Sequence, residues 1–155
     1  MSRPTSTCLA ATALALSGLA TPLAAPIGIP GEPLDPEKAF PAFVALTPSV
    51  AGTAHPGIDV SFQIHEGYYL YRDRIRISVD GAEPILGDPS VPRGRIRDDP
   101  FVGKTETLHQ FAAIHVPFKG PVQPGEYLFK VTAQGCLEEK VCYAPFTQTL
   151  KLKVP

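Results

Sequence analysis

The feature that most constrains this chain is an alternation of apolar and polar residues with period two, repeated in segment after segment. Ile58, Val60, Phe62 and Ile64 alternate with Asp59, Ser61, Gln63 and His65. Side chains two apart share one face of a strand, so the pattern describes a strand buried on one side. Ile75, Ile77 and Val79 repeat it against Arg74, Arg76 and Ser78, with a turn at Asp80-Gly81. Tyr68-Tyr69-Leu70-Tyr71 lies between the two, after a break at Glu66-Gly67. A further strand is expected over residues 107–118, with Ala112, Ile114, Val116 and Phe118 on one face. After a turn at residues 120–125, Tyr127, Phe129, Val131 and Ala133 mark another. Phe146, Leu150, Leu152 and Val154 point inward in the last. Residues 84–100 read as a loop. Helical periodicity is nearly absent, apart from a short helix at residues 35–40 with Pro36 in its first turn and Asp35 as its cap. Residues 26–56, rich in proline and alanine, read as an N-terminal arm anchored by Phe40 and Phe43. Many short strands with turn signals and little helix predict an all-β sandwich or barrel.

The first 25 residues do not belong to that domain. Arg3 is the only charge before Glu32, an apolar run covers residues 8–16, and small residues follow at Ser17, Gly18, Ala20, Ala24 and Ala25. These are the three parts of a secretory signal peptide, and the run is shorter than the roughly 20 residues that span a bilayer. Cleavage after Ala20 places Gly18 at the minus-three position; cleavage after Ala25 places Leu23 there and leaves Pro26 directly after the cut. The first fits slightly better. A membrane-anchoring helix is the competing reading. The expected organisation is a signal peptide over residues 1–25 and one domain over residues 26–155, soluble once exported.

Removing the leader changes the cysteine arithmetic. Cys8 lies in the apolar run and leaves with it; Thr5-Ser6-Thr7 before it do not make a lipid-anchor motif. Cys136 and Cys142 remain, in an oxidising compartment. The net charge of −1 offers no basic face for nucleic acid. Arg93, Arg95 and Arg97, interrupted by Gly94 and followed by Asp98 and Asp99, read as a solvated loop.

Cys136 closes one expected strand and Cys142 precedes the next, so residues 134–145 connect a hairpin whose strand ends bring the sulfurs together. Gly135 would allow unusual backbone angles, and Pro145 would stiffen the exit. A domain of this length can bury a core without a staple, and a bridge closing so short a loop stabilises little. A polar loop tip would also leave the sulfurs accessible to an incoming thiolate. Spacing alone leaves a stabilising bond and an exchange centre equally open.

The surroundings of the pair supply more. The segments Glu66-Gly67-Tyr68-Tyr69-Leu70-Tyr71-Arg72, Asp98-Asp99-Pro100-Phe101-Val102-Gly103-Lys104-Thr105-Glu106 and Gln134-Gly135-Cys136-x5-Cys142-Tyr143-Ala144-Pro145, taken together and in this order, resemble the N-terminal periplasmic domain of the DsbD thiol:disulfide interchange family. Residues 35–40 resemble the segment near that domain's mature start. The resemblance implies an immunoglobulin-like sandwich in the periplasm that relays electrons. A thioredoxin-like module, or a separate membrane electron donor, reduces it, and it reduces disulfide isomerases or cytochrome c maturation thioredoxins. It also implies roles by residue. Cys136 and Cys142 match the redox pair, with Cys142 forming mixed disulfides. Phe101 matches an aromatic cap over the disulfide, Tyr69 and Tyr71 match residues lining the site, and Asp99 matches one of two acidic neighbours. Pro100 stands at the other acidic position. No cofactor and no nucleic-acid partner are expected, and the domain should be monomeric. Asp99, Glu138 and Glu139 should disfavour a thiolate and Lys140 favour it, giving cysteines of ordinary or raised pKa.

Two rival functions remain at this point. One is a non-enzymatic immunoglobulin-like binding or assembly module with a structural disulfide. The other uses the thiols for copper-site assembly, although Met1 is the only methionine. His109 and His115 would share one strand face about 20 Å apart, too far to hold one metal. His55 and His65 have no ligand-like spacing with the cysteines. DsbD proteins usually continue into a membrane domain and a thioredoxin-like domain. The chain is therefore expected to be either a fragment or a stand-alone carrier.

Overall fold

Alternating sequence becomes antiparallel sheet throughout the computed structural model, which describes residues 32–48, 56–80 and 86–155. The expected leader, the first part of the arm, His55 and Gly81 lie outside the described residues. One short helix, α1 (Pro36–Ala39), precedes β1 (Ala42–Thr47), β2 (Gly57–Gln63) and β3 (Tyr68–Tyr71). A single 3₁₀ turn, Arg72–Arg74, leads into β4 (Arg76–Val79). Then follow β5 (Arg95–Asp99), β6 (Gly103–Leu108), β7 (Phe111–Pro117), β8 (Gly125–Ala133), β9 (Gly135–Leu137), β10 (Val141–Cys142) and β11 (Phe146–Val154).

These strands form an immunoglobulin-like sandwich with three ladders, ordered β1-β2-β7, β11-β8-β4 and β10-β9-β3-β6-β5. Ile58, Val60 and Phe62 from β2, Ile114 and Val116 from β7, and Phe129 and Val131 from β8 are fully buried between the layers. Each side chain of this size contributes about 1.5–3 kcal/mol when taken out of water. The five-stranded ladder is built differently: three of its strands connect through short segments to strands of the other two. Tyr71 passes through the 3₁₀ turn to β4, Leu108 passes through His109-Gln110 to β7, and Gln134 joins β8 to β9. One end of the sandwich is thereby splayed into a separate small sheet, and the cysteines lie on it.

The expected single strand over residues 107–118 is therefore two. Gln110 adopts φ 60, in the left-handed region, and its carbonyl accepts from Ile64 N–H at 2.7 Å. That kink sends β6 and β7 to different sheets, so His109 and His115 do not share a strand face. One further expectation changes. Residues 95–99 are a strand of a hairpin, with Arg95 opposite Thr107 and Asp99 opposite Gly103, because cross-strand partners override their loop-like composition. Residues 42–47 of the expected arm lie on the domain as a strand paired with β2. Phe40 is the anchor foreseen, stacked on Phe146 at 5.4 Å and edge-on to Tyr68 at 5.6 Å. Phe43 is not: it alternates outward on β1 and is 50% exposed. Asp35 precedes α1, but its carboxylate binds Lys38 Nζ at 2.9 Å, and its carbonyl receives the Lys38 and Ala39 amides.

Candidate redox site

The site begins with β3. Tyr68 and Leu70 turn into the main core, while Tyr69 and Tyr71 turn to the opposite face and pack with Cys136 and Cys142. All four residues of β3 are buried, which is why its sequence shows no polar alternation. β9 lies alongside, with Tyr69 opposite Cys136 and Leu70 opposite Gly135. β10 then folds back on β9 and sets Cys142 opposite Cys136. Directly paired strand positions bring side chains close, and the two cysteines form a disulfide with their Cα atoms 4.0 Å apart.

Gly135 serves this arrangement by closeness. A Cβ there would collide with the Tyr69 carbonyl and sit 2.8 Å from the Phe40 ring, so any side chain would push β9 off β3. Its backbone angle is not the unusual one; that falls to Glu139, at φ 58 in the β9–β10 turn. The amide of Glu138 donates to Gly67 O at 2.9 Å, tying this turn to the one before β3. Tyr143, after Cys142, donates its hydroxyl to Leu34 O at 2.7 Å and its amide to Gly135 O at 3.0 Å. The arm thus helps fix the edge strand that carries Cys142.

The two sulfurs are not equivalent. Cys136 is 1% exposed, because β3 covers it; the open loop tip expected for both cysteines holds only for the outer one. Cys142 is partly exposed and lines a cleft of ≈ 320 Å³ together with Tyr69, Arg97, Phe101, Leu137 and Val141. Tyr71 Oη lies 3.2 Å from Cys136 Sγ and 3.7 Å from Cys142 Sγ. Neither sulfur of a disulfide carries a hydrogen, so the tyrosine hydroxyl is the donor.

Asp99 ends β5 and is only 4% exposed. Its Oδ2 accepts from the Tyr69 hydroxyl at 2.6 Å, and its Oδ1 accepts from the Phe101 amide at 2.9 Å and the Val102 amide at 3.3 Å. One carboxylate therefore joins the tyrosine face to the loop that carries Phe101. Gly103 completes that loop at φ +74, a conformation glycine adopts without steric cost. Phe101 projects at the cleft mouth, 71% exposed.

Electrostatics follow from this packing. Burial, reinforced by the hydrogen bond to Asp99, pushes the Tyr69 phenol far above its ordinary range, and burial raises Tyr71 as well. Burial opposes the Asp99 charge, but hydrogen bonds led by Tyr69 and the Phe101 amide outweigh it and hold its pKa below the usual carboxylate value. Both hydroxyls thus stay protonated donors at neutral pH.

The structure thus brings all six expected site residues (Tyr69, Tyr71, Asp99, Phe101, Cys136 and Cys142) to one end of the sandwich. It adds two that had no such reading, Arg97 and His109. Arg97 lies with its guanidinium carbon 4.4 Å from the Tyr69 ring centroid and pairs with Glu138 at 3.1 Å. The His109 ring sits 5.8 Å from that of Tyr69, its pKa lowered by burial and then by Arg95. The signal for Arg97 is its parity with Asp99, which on a strand puts both on one face. Among the described residues no group of three or more His, Cys, Asp or Glu is placed to hold a metal ion, and no helix is long and apolar enough to cross a membrane.

Against known proteins, the family model described as thiol:disulfide interchange protein DsbD, N-terminal, matches residues 32–154. The chain belongs to the DsbD N-terminal family. DsbD from a serogroup A strain of Neisseria meningitidis is 38% identical over 139 residues, 89% of this chain and 21% of the relative. DsbD 1 of Pseudomonas aeruginosa is 35% identical over 105 residues, 67% of this chain and 17% of the relative. The chain spans about a fifth of the length of these curated relatives. The crystal structure of the N. meningitidis DsbD N-terminal domain in the reduced form superimposes with TM-score 0.66 at 34% identity, covering 78% of this chain and 90% of that one. The DsbD N-terminal domain in complex with the PilB N-terminal domain, also from N. meningitidis, gives TM-score 0.59 at 33% identity, covering 76% and 85%.

Proposed function

We propose that this domain is a periplasmic thiol–disulfide exchange component of the protein-disulfide reductase type, carrying two electrons at a time in the Cys136–Cys142 pair. The observation that carries this reading is the asymmetry of the pair: Cys142 opens to the cleft, while Cys136 is buried with a tyrosine hydroxyl 3.2 Å from its sulfur. An attacking thiolate must approach one sulfur along the extension of the S–S bond, and only Cys142 offers such an approach. A donor thiolate attacks Cys142 Sγ, the S–S bond breaks, and its electron pair leaves on Cys136 Sγ, where the Tyr71 hydroxyl stabilises the thiolate before protonation. The donor's second thiolate then attacks its own sulfur in the mixed disulfide and releases Cys142 as thiolate. The donor is oxidised to a disulfide and the domain is left as a dithiol. Delivery to an acceptor disulfide runs the same steps in reverse, with Cys142 as nucleophile and Cys136 closing the bond. No cofactor is required, since the sulfurs hold the electrons.

Phe101, held through Asp99 at the cleft mouth, acts in this reading as a movable cap that a docking partner displaces. The partners are thioredoxin-like proteins, among them disulfide isomerases and cytochrome c maturation thioredoxins, with a membrane or thioredoxin-like donor upstream. The complex of the N. meningitidis DsbD domain with a PilB domain supports a protein partner for this domain. The leader reading of residues 1–25 supports the compartment, with the mature domain starting after Ala20 or Ala25.

A trapping experiment tests the assignment. With Cys136→Ser, the remaining Cys142 should accumulate a mixed disulfide with a thioredoxin-like protein, visible on a non-reducing gel. With Cys142→Ser, the buried Cys136 should trap none. Equal trapping by the two variants, or none by either, would overturn the reading.

A further inference from the structure

One side chain bridges the two edges of the small sheet. Arg97 is on β5 and Glu138 is in the turn between β9 and β10, so β6 and β3 lie between them in the ladder. Arg97 Nη1 nonetheless donates to Glu138 Oε1 at 3.1 Å, and its guanidinium lies across the Tyr69 ring on the way. The Tyr69 hydroxyl holds Asp99, and Asp99 holds the amides of Phe101 and Val102. A continuous set of contacts therefore runs from the disulfide hairpin to the loop at the cleft mouth. Arg97 is 24% exposed, and its Nε is buried without a hydrogen-bond acceptor. That unmet donor is a cost, offset by the ring and by Glu138. Arg97 and Cys142 line the same cleft.

We propose that Arg97 is a positioning residue that latches the Phe101 loop to the disulfide hairpin, restricting how fast a small thiol reaches Cys142. The proposal rests on the exchange reading above and adds a determinant of selectivity to it. A protein thiol that docks on the mouth breaks the latch with its own contacts and widens the cleft; a small thiol makes no such contacts and reaches Cys142 through the narrower, latched cleft. Guanidinium–ring attraction and a partly exposed ion pair are each modest, so releasing both should speed small-thiol attack about three- to tenfold.

The test measures the rate at which dithiothreitol reduces the disulfide in the native chain and in Arg97→Gln, Glu138→Gln, their double variant and Arg97→Lys. A latch predicts that Arg97→Gln, which releases both contacts, gives the full acceleration, that Glu138→Gln gives part of it, and that the double adds little to Arg97→Gln. Arg97→Lys should restore part of the slow rate. Raising sodium chloride from about 0.05 to 0.5 M should speed the native chain and leave the Gln variants nearly unchanged. Equilibrium with glutathione should stay the same, because a latch alters access and not thiol chemistry. Folded variants reacting at the native rate would overturn the latch while leaving exchange intact. So would a shift in the glutathione equilibrium as large as the rate change. If the native disulfide and all variants resist dithiothreitol alike, the exchange reading itself falls. Glu138→Gln, on an exposed turn, keeps the comparison decisive should Arg97→Gln unfold the chain.

Discussion

Replacing Tyr71 with phenylalanine isolates the one group placed to help the buried sulfur leave. The ring stays: it is fully buried, meets Tyr69 edge-on at 5.6 Å and carries the Arg74 guanidinium at 5.0 Å, and phenylalanine keeps all of these. Only the hydroxyl 3.2 Å from Cys136 Sγ is lost. A disulfide sulfur is a weak acceptor, whereas a thiolate is a strong one, so the hydrogen bond strengthens as the S–S bond breaks. Hydrogen bonds to charged groups contribute about 1.5–3 kcal/mol. With the charge roughly half formed in the transition state, about 0.7–1.5 kcal/mol is forfeited, or roughly three- to tenfold in rate. Since the chain has no tryptophan, the reaction is best followed by acid quench and alkylation of freed thiols after mixing with a reduced thioredoxin-like protein. A folded Tyr71→Phe variant exchanging at the native rate would refute the reasoning.

Two other consequences concern stability. Gly135→Ala forces a Cβ against the Tyr69 carbonyl, so β9 must separate from β3; a loss of at least about 2 kcal/mol is expected in urea unfolding, and an unchanged midpoint would contradict it. Tyr69, Tyr71 and Tyr143 all have raised pKa values in the fold, Tyr143 to about 12. The folded chain then keeps protons that the unfolded chain loses above pH 10, so this stability is whole below about pH 10 and falls as pH rises. The slope reaches about 1.4 kcal/mol per pH unit for each tyrosine. Unfolding at pH 9 and 11 measures it, and Tyr69→Phe should flatten the slope by one proton; an identical slope would count against the buried Tyr69.

What the sequence made legible followed local physics. The alternation in residues 58–64, 127–133 and 146–154 appears as β2, β8 and β11, and the apolar Tyr68–Tyr71 run appears as a strand buried on both faces. The six expected site residues belong to three sequence motifs, and the fold brings those motifs together. What was hidden depends on partners far along the chain. Nothing local marks Gln110 as the point where one strand becomes two in different sheets, since the kink is held by Ile64. β5 has the composition of a loop and exists because β6 pairs with it. The burial of Cys136 comes from β3, more than 60 residues earlier, so a six-residue spacing suggested an exposed pair where one sulfur is covered. Arg97 looked like part of a solvated charge run, and only the curl of the sheet carries it to Glu138.

The central claim is that Cys136–Cys142 is an exchangeable store of electrons and not a staple. Its most direct test is the midpoint of the pair, obtained by equilibrating the folded chain with graded mixtures of reduced and oxidised dithiothreitol or glutathione and counting free thiols. The account predicts a midpoint above about −300 mV, in the range of proteins that exchange with thioredoxin-like partners. A midpoint well below that value would make the bond structural and contradict the account.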